Sequence, residues 1–198
     1  MNTNEISALF SRQGNFLCAR WGRPVAPVIF GLADESLNIF RTAIHAAYGH
    51  ANHPLADTDP ETGANLMMFF CRNWEELSGI PDLNQLTGQS DLVTRLNDLD
   101  TNHYQIFRFD KDGAIRACLS FVRMAPPLSE VRPAALAETL AVRSMLTFAY
   151  EITATRELAE LVRAAYDPRL PDTTSDPSHS LRLLARMEEA ALRSSNPA

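Results

Sequence analysis

The run Asn65-Leu66-Met67-Met68-Phe69-Phe70-Cys71 constrains this chain more than any other stretch. From Leu66 onward it is uninterruptedly apolar, at a length that suits a strand and is too short for a buried helix. A strand with apolar side chains on both sides needs cover on both faces, so the run predicts a central strand enclosed above and below. A second local signal supplies neighbours. Asp110-Lys111-Asp112-Gly113 joins two strand-like runs, His103–Phe109 and Ala114–Met124, and an Asp-Gly turn between β-prone runs predicts a β-hairpin.

Around these elements the spacing of apolar residues predicts helices. Ile6, Leu9 and Phe10 follow the capping candidates Thr3 and Asn4 in a helix from Glu5 to about Arg12, which Gly14 should end. Val25–Phe30 reads as a buried strand with Pro27 limiting it on one edge. Asp34 should cap a helix to about Tyr48, with Leu37, Phe40, Ile44 and Ala47 on one stripe. Asn73 caps a short helix, Asp91 to about Leu99 forms another, and three more cover Pro133–Phe148, Thr155–Tyr166 and Ser178–Arg193. The order predicts one α+β domain over residues 1–198, a four-stranded mixed sheet with a β-hairpin, flanked by about six helices, with a frayed tail at about 194–198.

Charge and composition narrow the function. The net charge of −6 argues against a phosphate backbone as partner, because that binding rests on clustered Lys and Arg, so no nucleic acid is expected. No stretch approaches the length of a membrane span, and the start Met1-Asn2-Thr3-Asn4-Glu5 has no basic segment leading into an apolar one. Cys18, Cys71 and Cys118 are odd in number and widely spaced, which suits reduced thiols. The expectation is a cytoplasmic protein with no membrane partner.

The densest set of metal-ligating residue types is His45, His50, His53, Asp57, Asp59 and Glu61, at a helix exit and in the polar loop that follows. Imidazoles and carboxylates together suit a divalent metal. The spacing matches no fixed ligand motif, and polar loops collect such residues simply because they are well hydrated. Cys71, Cys118 and Ser120 fall on predicted strands without the glycine-flanked elbow of a nucleophile, and no phosphate loop is present. Arg116 and Arg123 are an odd number of residues apart and should point to opposite faces of one strand, so the arginines of the hairpin form no single basic stripe. Trp21, Trp74, Phe69, Phe70, Phe107, Phe109 and Phe121 read as core.

Four segments together carry a family resemblance: Arg20-Trp21 with the strand Val25–Gly31, Gly63–Phe70, Gly113-Ala114-Ile115-Arg116-Ala117, and Ala165-Tyr166-Asp167-Pro168-Arg169-Leu170-Pro171. They resemble an uncharacterised bacterial domain family with a zincin-like, zinc-peptidase-like fold. The resemblance implies a mixed sheet followed by the helix that carries zinc ligands in such folds. Here that helix reads Ala134-Ala135-Leu136-Ala137-Glu138-Thr139-Leu140-Ala141-Val142-Arg143, with Glu138 near the acidic position and no histidine between His103 and His179. The resemblance therefore implies a non-catalytic derivative. Separately, no motif supplies a nucleophile, a phosphate cradle or a metal triad, so the expectation is a binding or assembly protein without a cofactor, acting on a protein partner or as a homo-oligomer. The alternative is a metal-dependent hydrolase using the His45–Glu61 cluster.

Overall fold

The structure, a computed structural model, describes residues 1–195, so the tail expected at about 194–198 lies largely outside the described residues. Along the chain run α1 (Thr3–Phe10), β1 (Ser11–Arg12), β2 (Asn15–Phe16), β3 (Cys18–Ala19), β4 (Pro27–Phe30), α2 (Asp34–His50), β5 (Leu66–Cys71), α3 (Leu83–Thr87), α4 (Leu92–Asp98), β6 (His103–Phe109), β7 (Ile115–Arg123), α5 (Pro133–Arg143), α6 (Arg156–Ala165), β8 (Thr173–Thr174) and α7 (His179–Ser195). Two 3-10 turns, Trp74–Gly79 and Leu128–Glu130, complete the α+β architecture.

The four-stranded sheet has the order β4-β5-β7-β6. β4, β5 and β7 are parallel, and β6 folds back antiparallel on β7 through the Asp-Gly turn. The sheet is therefore mixed, with its one antiparallel strand at an edge. Because side chains alternate along a strand, each central strand feeds two cores. Leu66, Met68 and Phe70 join Cys118 and Val122 under α2, α5 and α6. Phe69 and Cys71 join Leu119 and Phe121 in a smaller core with Trp74, Leu77, Leu92 and Leu96. The apolar run is thus covered on both faces, as its continuity requires.

That second layer stops short of β4. Val28 and Phe30 share the smaller core's side of the sheet yet are 37% and 46% exposed. Phe30 stacks on Phe69 at 4.9 Å, and Phe69 on Phe121 at 5.2 Å, so an aromatic ladder runs from solvent into the core. Trp21, Trp74, Phe70 and Phe121 are buried as expected, whereas Phe109 at the hairpin end is exposed. At the end of β4 the backbone of Gly31 adopts φ +84°, and a Cβ there would lie 2.0 Å from the Phe70 carbonyl oxygen.

A polar lock closes the other side of the molecule. Arg20 donates to the carbonyls of Tyr166 and Leu170 and pairs with Asp172 at 2.7 Å. Trp21 Nε1 donates to Ser144 O at 2.7 Å, and Tyr166 Oη donates to Met145 O at 2.8 Å. Tyr48 Oη lies 3.0 Å from Ser144 Oγ. Asp167 accepts from the backbone N–H and side chain of Arg169, which closes the turn and brings the carboxyl down to about 2. β3 pairs with β8 beside this lock, Cys18 opposite Thr174.

The lock accounts for one departure from expectation, and local turn and cap geometry for the others. The helix expected over Pro133–Phe148 ends at Arg143, because Leu146 forms a bridge with Arg20 and Thr147 N–H donates to Ala19 O. Gly14 does more than end α1: with Gln13 at φ 52° and Gly14 at φ 81°, the chain reverses into the small β1–β2 hairpin. The N-cap of α1 is Asn2, whose side chain accepts from Glu5 N–H while Glu5 reaches back to Asn2 N–H. Asp34 is the first residue of α2, not its cap.

Two substitutions test this account by urea unfolding. Tyr166→Phe should lower stability by about 1–3 kcal/mol, the cost of leaving a buried carbonyl without its donor. Gly31→Ala should cost at least as much, since it combines a strained φ worth roughly 1–3 kcal/mol with a backbone clash. Unchanged midpoints would remove the corresponding contact from the account.

Candidate functional site

The six potential metal ligands separate into different surroundings. His45 and His50 are exposed on α2, and Asp57 is exposed in the loop. The His53 ring packs 5.9 Å from Tyr48 and 5.0 Å from Tyr166, with Nε2 2.9 Å from Arg23 O, and burial lowers its pKa. Asp59 is buried. Its Oδ1 accepts from Glu61 N–H, Thr62 N–H and Thr62 Oγ1, and its Oδ2 accepts from Asn65 Nδ2. Burial alone would raise the Asp59 pKa; the hydrogen bonds from Thr62 and Glu61 outweigh it, so the carboxyl sits below its ordinary value. Asp59 thereby pins the loop 59–63, which also closes on itself through paired backbone bonds between Asp59 and Gly63. Among the described residues, no three His, Cys, Asp or Glu side chains come together as a group that could hold a metal ion.

Asp59 and Glu61 instead belong to a groove of about 700 Å³ that also holds Arg23, Arg108 and Arg116. It lies at the start of β5 and β7, between the pinned loop and α3. Met67 and Leu119 form its floor and Leu86 of α3 its far wall. Arg108 is held by donating to Thr87 O next to Gly88. Arg116 reaches the groove because the β6–β7 register shifts: Phe109 faces Ile115 but Arg108 faces Ala117, leaving Arg116 without a cross-strand partner. Strict alternation placed Arg116 and Arg123 on opposite faces, and no periodicity in the sequence marks the extra residue. Arg123 stays apart from the groove, held by Asn102, Asp100 and the Trp74 ring. Arg23 gave no signal in the sequence at all.

The charges in the groove are three guanidiniums against two carboxylates, in a chain whose net charge is −6. Glu61 stands between two of the cations, 3.3 Å from Arg23 Nη1 and 3.4 Å from Arg116 Nη2. A cationic wall over an apolar floor recognises an anionic group attached to an apolar body.

A second polar cluster has the order of a hydrolytic triad without its access. Ser120 Oγ lies 2.9 Å from His103 Nε2, and His103 Nδ1 lies 3.8 Å from Glu151 Oε1, which also pairs with Arg143. In this set the acid is the exposed member and the serine is fully buried, so no substrate carbonyl reaches Oγ. The thiols are equally poor nucleophiles. Burial pushes Cys71 up to about 11 and Cys18 to about 12, and raises Cys118 further still.

Burial lowers the pKa of His103 from its ordinary 6.5, and it acts in the same direction on His53 and His179. A histidine with a depressed native pKa binds fewer protons folded than unfolded below about 6.5, so stability falls with pH from there downward. The urea midpoint should therefore drop between pH 7.5 and pH 5, and less steeply in His103→Asn. A flat profile, or one that the substitution leaves unaltered, would show that burial does not hold this ring neutral.

Comparison of the chain with protein-family models, with curated protein sequences and with solved structures returned no match.

Proposed function

We propose that this chain is a non-catalytic α+β domain of zincin-like layout that acts in the cytoplasm as a binding or assembly protein, with the arginine-lined groove as its binding site. The observation that carries the reading is the groove itself: cations face an apolar floor, and the one buried carboxylate present, Asp59, is already saturated with donors. The other carboxylate, Glu61, stands between Arg23 and Arg116, so the groove offers attachment with each acid already paired.

The partner is a protein segment. Val28 sits opposite Met67 in the β4–β5 register, so the apolar floor continues outward to Val28 and Phe30 on an edge strand that the second layer leaves open. Such a surface accepts an extended chain, in keeping with a site that binds neither nucleic acid nor membrane. In support of the soluble part of this reading, no described helix is long and apolar enough to cross a membrane.

The zincin-like layout is supported by a mixed sheet followed, after the turn Leu128–Glu130, by α5, the helix that would carry zinc ligands. Loss of peptidase chemistry is supported by what α5 contains: its residues 134–143 include no histidine, and Glu138 is exposed.

Elemental analysis of the purified protein should find no stoichiometric zinc, iron or manganese, and chelation should leave its melting temperature unchanged. A stoichiometric metal whose removal abolishes a hydrolytic activity would replace this reading with a metal-dependent hydrolase. In that case the double variant His50→Ala, His53→Ala should lose the metal while keeping its fold.

A further inference from the structure

We infer that the group recognised by the groove is a carboxylate, and that Glu61 is a tethered stand-in for it, occupying the Arg23–Arg116 pair until a partner's acidic side chain displaces it. The inference rests on the reading of the groove as a binding site and names its ligand chemistry.

The geometry around Glu61 is that of an occupied carboxylate seat. One carboxylate oxygen faces each guanidinium, Oε1 toward Arg23 at 3.3 Å and Oε2 toward Arg116 at 3.4 Å. Charge-assisted hydrogen bonds in a tight seat are shorter, about 2.7–2.9 Å, so Glu61 spans the two cations without closing fully on either. Its side chain is 50% exposed, and ion pairs that exposed stabilise little.

Release of Glu61 does not require the loop to move. The loop is pinned through Asp59, whose oxygens hold Glu61 N–H, Thr62 and Asn65, and through the Asp59–Gly63 backbone pair. All of these bonds are independent of the Glu61 carboxylate. Rotation of that side chain leaves three guanidiniums facing Asp59 alone, a net cationic pocket with its walls already in place.

The same layout favours a carboxylate over a phosphate. The two arginines are set to receive one oxygen each, and Asp59 Oδ2 lies 3.8 Å from the same Arg23 Nη1, where its charge opposes a dianion more than a monoanion. An extended partner segment with an acidic residue at Arg23 and Arg116, and apolar residues over Met67 and Leu86, satisfies both halves of the groove.

The test follows the arginine Nε–Hε signals of Arg23 and Arg116 by NMR during titration with blocked glutamate, N-acetylglutamate N-methylamide. Glu61→Gln should bind this probe roughly two- to fivefold more tightly than the unaltered protein, the equivalent of an exposed ion pair removed from competition. Adding Arg116→Ala should abolish the saturable shift at Arg23, blocked glutamine should shift neither signal, and added salt should weaken binding.

Equal affinity in Glu61→Gln and the unaltered protein would overturn the stand-in role. Equal response to blocked glutamine, or tighter binding of inorganic phosphate, would overturn the carboxylate assignment. None of these results bears on metal content, so the inference fails separately from the reading it rests on.

Discussion

The pairing of Arg20 and Trp21 with the chain around Ser144 and Tyr166 is the constraint on which the rest of the structure depends. It joins residues separated by more than a hundred positions, and it does so with buried polar groups. Each such bond contributes only about 0.5–1.5 kcal/mol net, but a partner left unmatched costs more than the bond gains. The lock is therefore specific: β3 and β8, the end of α5 and the turn after α6 fit together in one arrangement or leave buried donors and acceptors unmet. Its consequence for the sheet is indirect. By fixing α5 and α6, it sets the layer that covers Leu66, Met68 and Phe70.

The same contacts tie together segments that lie far apart in the sequence. Arg20-Trp21 and the segment from Ala165 to Pro171 meet in this lock: Tyr166 reaches Met145, Asp167 closes on Arg169, and Leu170 is buried. Two of the four segments that carry the resemblance are thus parts of one packing unit. These segments hold the domain together and stand apart from the groove.

Much of the fold was legible because its signals are local. The apolar run 66–71, the Asp-Gly turn, Thr155 capping α6 and Pro133 opening α5 each express a preference that acts over a few residues. What escaped is long-range or irregular. β1, β2, β3 and β8 have two residues each and exist because of their partners; their sequences carry no strand pattern. The groove was half legible. Asp59 and Glu61 stand out in the sequence for their chemistry, but their neighbours Arg23, Arg108 and Arg116 come from three places in the chain, and one of them arrives only through a register shift. The ligand-type residues that lie densest in the sequence are dispersed by the turn after α2, with His53 drawn inward between two tyrosines while His50 stays in solvent.

The three buried cysteines have a practical meaning beyond their poor nucleophilicity. Cys18 lies in the β3–β8 pair next to the polar lock, Cys118 in the centre of the sheet and Cys71 on the face toward Trp74. None is accessible while the domain stays closed, so a thiol reagent modifies each only when its own region opens. The chain thus carries three internal clocks, one at the seam that joins its distant segments and one on each side of the sheet. The order in which they run down under mild denaturant would report whether the molecule parts first at the seam or at the thin layer beside the groove.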